Sequence, residues 1–230
     1  MKSREEIELE LTTETPNWPG YPGRLEIRPI RFEDSRLLIP VIKRDKGVLS
    51  AYLSKFRGST HWNLNDAQKL VSSLVTADWP ETTYLFHINN HPIGLLTIAG
   101  AGYLDECQLV IAVFTDHQGK GFAKSMTTTI LRITEEVWGF SKTWWFVDAT
   151  NEPSKKVAKA CGFQLHSSYE QLDKSSPDKA SGLYLRLVKN RPEGLAPGIL
   201  QGADHEYWSA SKNASFLRTV INSRNQSETK

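Results

Sequence analysis

The segment from Leu109 to Val137 constrains this chain more than any other. Leu109-Val110-Ile111-Ala112-Val113-Phe114 is a β-branched apolar run and reads as a buried strand. After a short polar interval, Phe122, Met126, Ile130, Ile133 and Val137 recur at helical spacing. The interval contains Gln118-Gly119-Lys120-Gly121-Phe122-Ala123, a Gln-x-x-Gly-x-Ala pattern. A glycine turn from a strand into a helix leaves a row of backbone N–H groups without intrahelical partners. It also aims the positive end of the helix dipole at whatever occupies the turn. That is a socket for a pyrophosphate, and Gly119 and Gly121 allow close approach because neither carries a Cβ. The spacing is neither a Walker loop nor the Gly-x-Gly-x-x-Gly dinucleotide fingerprint.

The continuation narrows the reading. Thr143-Trp144-Trp145-Phe146-Val147-Asp148-Ala149 is a second strand candidate, followed by Asn151-Glu152-Pro153-Ser154, a short helix and Cys161-Gly162-Phe163. On these residues the chain resembles the GNAT superfamily of acyl-coenzyme A-dependent N-acyltransferases. The glycine loop resembles that family's pyrophosphate loop, Gln/Arg-x-x-Gly-x-Gly/Ala. Asn151-x-x-Ser154 with Gly162-Phe163 resembles its later cofactor motif. The serine is typical of the branch containing the ribosomal-protein N-terminal acetyltransferases. The resemblance covers residues 24–188. It implies an α/β (α+β) fold: a central mixed, largely antiparallel sheet flanked by helices, with a splayed strand pair holding the cofactor. It also implies acetyl-coenzyme A as co-substrate, no metal, and a primary amine as acceptor, either a protein or peptide N-terminus or a small molecule.

By the same resemblance, backbone groups of Ala112 and Val113 face the pantetheine arm and the thioester, with Phe114 near the thiol. Gln118, Gly119, Lys120, Gly121, Phe122, Ala123 and Lys124 form the phosphate loop. Asn151 meets the pantetheine amides, although asparagine is also a favoured helix cap. Ser154 donates to the departing thiolate. Many relatives place a tyrosine four residues before the glycine of the second motif, where this chain has Ala158. Glu106 is the first candidate for a general base, a role that needs its pKa raised by burial. Asp105 and Asp148 compete with it. His117 is expected to shape the phosphate loop. His87 and His91 have metal-like spacing but no third ligand. Lys155 and Lys156 join Lys120 and Lys124 as candidate counter-charges for phosphate. Cys161 reads as packing, and Cys107 lacks a base partner.

The chain has 230 residues, enough for one domain with extensions. A net charge of +2 without a basic run gives no reason to expect nucleic acid. Two cysteines do not make a disulfide framework, and neither a leader nor a membrane-spanning run is evident, so a cytoplasmic protein is expected. Residues 1–23 read as an acidic, then Pro/Gly-rich arm. Strands are expected at 24–30, 83–88, 93–98, 106–114, 164–169 and 183–188, the second and third of these forming a hairpin across Asn89-Asn90-His91-Pro92. Asp34 opens a helix that Pro40 is expected to break or restart. Asn65 with Gln68 reads as a capping pair.

The acceptor is expected to be held by 46–64, by the polar loop 171–182 and by the tail, with His61, Trp62 and Trp79 as candidate lining. Residues 189–230 read as an extension, with an amphipathic helix around 204–222 packed on the domain, forming a homodimer contact or covering the acceptor. Two function classes stand: an N-acetyltransferase, and a non-catalytic GNAT-fold module that binds or senses an acyl-coenzyme A. A pure interaction domain is a third reading, which the intact loop argues against.

Overall fold

The structure, a computed structural model, describes residues 23–45, 64–75, 82–101, 105–171 and 182–195. The arm before Gly23, the segment 46–63 with His61 and Trp62, Trp79, most of the 171–182 loop and the tail helix around 204–222 lie outside the described residues. Among the described residues seven strands form one mixed sheet, here called β1 (Glu26–Pro29), β2 (Thr82–Ile88), β3 (His91–Gly100), β4 (Glu106–Val113), β5 (Lys142–Asp148), β6 (Gln164–Gln171) and β7 (Gly182–Asn190), in the order β1-β2-β3-β4-β5-β7-β6. Among the described residues four α-helices accompany them: α1 (Ser35–Arg44), α2 (Leu64–Val75), α3 (Phe122–Arg132) and α4 (Glu152–Ala160). The mostly antiparallel sheet flanked by helices is the architecture the resemblance implies.

The chain forms two compact units, one running to Ile98 and including Val110–Thr129, the other comprising Ala99–Leu109 and the chain from Ile130. In the first unit, Leu38 and Val41 of α1, Leu70 and Val71 of α2, Leu85 of β2, Leu95 of β3 and Phe114 make one buried apolar cluster. The β2–β3 hairpin turns on Asn89 and Asn90 with φ of 49° and 63°. Two consecutive left-handed residues match the twist of the flanking strands, and asparagine tolerates that conformation better than other side chains. Pro92 cannot donate to the ladder, and the register shifts beside its partner His87. Gly94 on β3 passes so close to Ala112 O and the Met126 thioether that a Cβ would lie 2.5 Å and 3.0 Å from them.

Three local expectations are corrected. Pro40 does not break α1, which runs unbroken across it. Leu38 and Val41 hold the helix to the core while Pro40 lies on the exposed face, where water can satisfy the carbonyl that loses its donor. Asn65 is not a cap, because α2 already begins at Leu64. The stripe from Phe122 does not continue as one α-helix to Val137. After Arg132 the chain widens into a π-helical segment, Ile133–Trp138, closed by Gly139 at φ 79°.

In the second unit, β5 pairs with β7 along its whole length, and β7 pairs with β6. β4 runs parallel to β5, with Glu106–Leu109 opposite Lys142–Trp145. That ladder ends there, although β4 continues to Val113 and β5 to Asp148.

Candidate active site

At the glycine loop, the chain leaves β4 at Val113, makes a single 3-10 turn at Thr115–His117 and enters α3 at Phe122. Gly119 and Gly121 have φ of 72° and 85°, the left-handed region. No protein atom among the described residues lies within 4 Å of where a Gly119 Cβ would stand, so within the protein itself that position calls for glycine by its backbone angle and not by packing. The first loop–helix bonds come from Lys124 and Ser125 N–H, both to Gly121 O. Upstream N–H groups, those of Gly121 and Ala123 among them, stand outside the helix ladder as the start of a helix requires. The side chains of Phe122 and Met126 are buried and pin α3 to the core. Such a turn fits an anionic pyrophosphate.

The loop is held from two directions. Gln118 Nε2 donates to Val113 O at 2.9 Å, so the motif glutamine closes the turn onto the strand it left. Asp45, just past α1, accepts from Thr115 N–H at 3.1 Å and from Arg44 at 3.0 Å. Burial by itself would raise the Asp45 carboxyl, but Arg44 and Thr115 outweigh it and hold it below the usual range. Arg44 also pairs with Asp116. Sequence reading did not single out Asp45. The only signal was its place at the end of an amphipathic helix, and no local pattern links residue 45 to residue 115. Lys120 folds back, donating to Asp116 O at 2.8 Å. Burial, then Lys120, lowers the His117 pKa and so disfavours the charged ring.

On the side carried by β5 and α4, Asn151 is the helix N-cap, accepting from Ser154 N–H at 3.1 Å. Ser154 Oγ accepts from the Trp145 indole Nε1–H at 3.0 Å. Ala158 is fully buried, and its carbonyl accepts from Cys161 and Phe163 N–H at 3.1 Å each. Asp148 accepts from the Thr150 hydroxyl and N–H at 2.6 Å and 2.7 Å, which lowers its pKa and spends it on the turn before α4. Lys155 donates to Ala149 O at 2.7 Å and pairs with Glu152 at 2.5 Å.

Glu106 is buried at the start of β4. Its Oε1 pairs with Lys142 Nζ at 2.9 Å, and its Oε2 accepts from Trp144 Nε1 at 2.6 Å. Each carboxylate oxygen keeps a further acceptor site. Asp105 is exposed in the preceding turn, where its carbonyl accepts from Ser141 N–H at 2.7 Å. Cys107 is fully buried, and its thiol is pushed up to about 12 by burial. His87 is buried on β2 and His91 is exposed at the start of β3. No group of three or more metal-ligating side chains converges among the described residues. None of the described helices is long and apolar enough to cross a membrane.

Residues 24–164 match the GNAT acetyltransferase domain. The chain belongs to that family and is an acyl-coenzyme A-dependent acetyltransferase, with acetyl-coenzyme A as its acetyl donor. No curated protein matches it in sequence. Among solved structures it is similar to the spermidine N-acetyltransferase of Vibrio cholerae in complex with coenzyme A and spermine. The two share 16% identity at a TM-score of 0.58, over 73% of this chain and 95% of that one. It is also similar to the Salmonella typhimurium acetyltransferase that modifies the N-terminal serine of ribosomal protein L7/L12 (13%, TM-score 0.61, 73% and 95%). A GNAT-family acetyltransferase of Bacillus anthracis gives 13%, 0.60, 74% and 97%. At these identities the likeness is one of fold.

Proposed function

We propose that this protein transfers the acetyl group of acetyl-coenzyme A to a primary amine by direct attack within a ternary complex. The observation that carries the reading is the Gln118–Ala123 turn, with both glycines left-handed at the mouth of α3. Its N–H groups and helix dipole take the pyrophosphate. Gln118 keeps the turn in shape, and Lys124 adds positive charge in the first turn of α3. Backbone groups of Ala112 and Val113 take the pantetheine arm and polarise the thioester carbonyl, with Phe114 beside the thiol. Asn151 takes the pantetheine amides as well as capping α4.

The amine must attack as the free base, and a peptide α-amine with a pKa near 8 is partly neutral at physiological pH. Its nitrogen forms the new N–C bond, the C–S bond breaks with its electron pair going to sulfur, and one amine proton leaves through water. Glu106 receives that water on the acceptor sites left by Lys142 and Trp144. Ser154 O–H donates to the sulfur as charge develops there, and solvent then protonates the thiolate. The acceptors compatible with this chemistry include polyamines and protein N-termini, the amines that the Vibrio cholerae and Salmonella typhimurium proteins modify.

Thermal unfolding with acetyl-coenzyme A, beside a Gly121→Glu variant, tests the coenzyme site. Ligand at about one hundred times its dissociation constant should stabilise by about 2.7 kcal/mol. Stabilisation lost in a folded variant supports the loop assignment, and no stabilisation of the parent at millimolar ligand refutes it. Release of thiol on addition of spermidine or Ser-initiated peptides then tells which class of amine is acetylated.

A further inference from the structure

Ser154 is held at two atoms. Its N–H bonds the Asn151 cap, and its Oγ receives the Trp145 indole N–H at 3.0 Å. Trp145 is 2% exposed, lies opposite Leu187 of β7 and Leu109 of β4, and packs edge-on against Phe163 with ring centroids 5.4 Å apart. The indole is fixed by the sheet before it meets the serine.

We infer that Trp145 is a positioning residue, which fills an acceptor site of Ser154 Oγ and leaves the hydroxyl proton for the leaving sulfur. This rests on the Ser154 role proposed above. A hydroxyl has one donor and two acceptor sites, whereas an indole nitrogen only donates. A first-turn serine left alone rotates among staggered wells or turns its proton onto a nearby carbonyl. An indole donor removes that freedom from one side, because the O–H cannot point at another donor. Accepting a hydrogen bond also polarises the hydroxyl and strengthens it as a donor. When the C–S bond breaks, its electron pair goes to sulfur and the Ser154 O–H bonds to it. The hydroxyl keeps its proton, and water supplies the one that ends on the thiol. If the contact served only structure, Ser154 would be no more than the acceptor that a buried indole N–H requires. Its loss would then lower stability and leave the sulfur indifferent.

The test follows the ionisation of coenzyme A bound to the full chain, by thiolate absorbance against pH, with desulfo-coenzyme A as the control ligand. In the parent, the bound thiol should ionise more readily than free coenzyme A. Trp145→Phe should reduce its acid constant about three- to tenfold, the scale of one lost hydrogen bond. Ser154→Ala should reduce it at least as much, and Trp145→Phe should add nothing in that background. Affinity for desulfo-coenzyme A should not change. If Ser154→Ala shifts the ionisation and Trp145→Phe does not, the inference falls and the Ser154 role survives. If Ser154→Ala changes nothing, both fall. Where Trp145→Phe does not fold, the parent decides. The Trp145 indole N–H resonance, identified by its shift in Ser154→Ala, should titrate with the bound thiol and stay still with desulfo-coenzyme A. Its failure to titrate overturns the inference.

Discussion

A methyl at position 94 would stand 2.5 Å from a backbone oxygen and 3.0 Å from a buried methionine. Carbonyl and strand cannot both retreat without loosening β3 or β4, so Gly94→Ala should cost about 1–3 kcal/mol in urea unfolding. Gly119 presents the opposite case. Its Cβ would meet nothing, so Gly119→Ala carries only the strain of a left-handed alanine, about 1 kcal/mol. Calorimetry with coenzyme A should show whether the bound loop tolerates that methyl. Cys107, its thiol pushed up to about 12 by burial, should stay unalkylated in the folded protein at pH 8 and react on unfolding, as read by mass spectrometry. Neither the Gly94 contact nor the Cys107 environment is visible in a one-dimensional pattern, because the first depends on a neighbour from a different element and the second on the depth of burial. Local chemistry was legible where neighbours in sequence suffice. Asn151 reads as a cap from its own position, and it caps.

At the scale of elements, the glycine loop depends on the end of α1. Asp45 accepts from Thr115 N–H, and Arg44 bridges to Asp116. Asp45→Ala leaves the Thr115 N–H and the Arg44 guanidinium short of a partner. It should cost about 1–3 kcal/mol of stability and weaken coenzyme binding, seen as a lower melting temperature and a higher Kd by calorimetry. Asp45→Asn should recover part of both. The β2–β3 turn offers a converse test. Asn90 holds φ 63°, which glycine adopts without strain, so Asn90→Gly should raise the melting temperature slightly while Asn90→Val lowers it. The turn was legible because Asn-Asn between two apolar runs has few other uses. The α1–loop tie was not, since 70 residues separate its ends.

For the whole molecule, three buried titratable groups in the first unit give acid sensitivity of one sign. Burial would raise the Asp34 carboxyl, but Arg28 on both of its oxygens, at 2.7 Å and 2.6 Å, and Arg31 N–H hold it low. Asp45 is held low in the same way. A carboxylate with a depressed folded pKa contributes stability that is present above its unfolded value near 3.9. That stability is lost as pH falls through the folded value. Burial also lowers the His87 pKa, so its protonation opposes folding once pH drops below about 6.5. Urea midpoints should therefore decline gently below about pH 6.5 and steeply below about pH 4. Asp34→Asn should begin lower and decline less across the steep part.

By itself the sequence determined the order of elements, the strand–turn–helix loop and the family, because each is written in periodicity and short motifs that act between near neighbours. It also determined where to look for Glu106 and Ser154. Tertiary structure alone decided what those side chains touch. Trp144 and Trp145 are adjacent, yet the strand sends one indole to Glu106 and the other to Ser154. Adjacent strand residues must face opposite sides, so the split is local, but the identity of each partner is not. It follows from the register of β4 on β5 and from the helix after β5, contacts made across 38 and 9 residues. Pairings at such separations are chosen by the packing of whole elements, which no window along the chain contains.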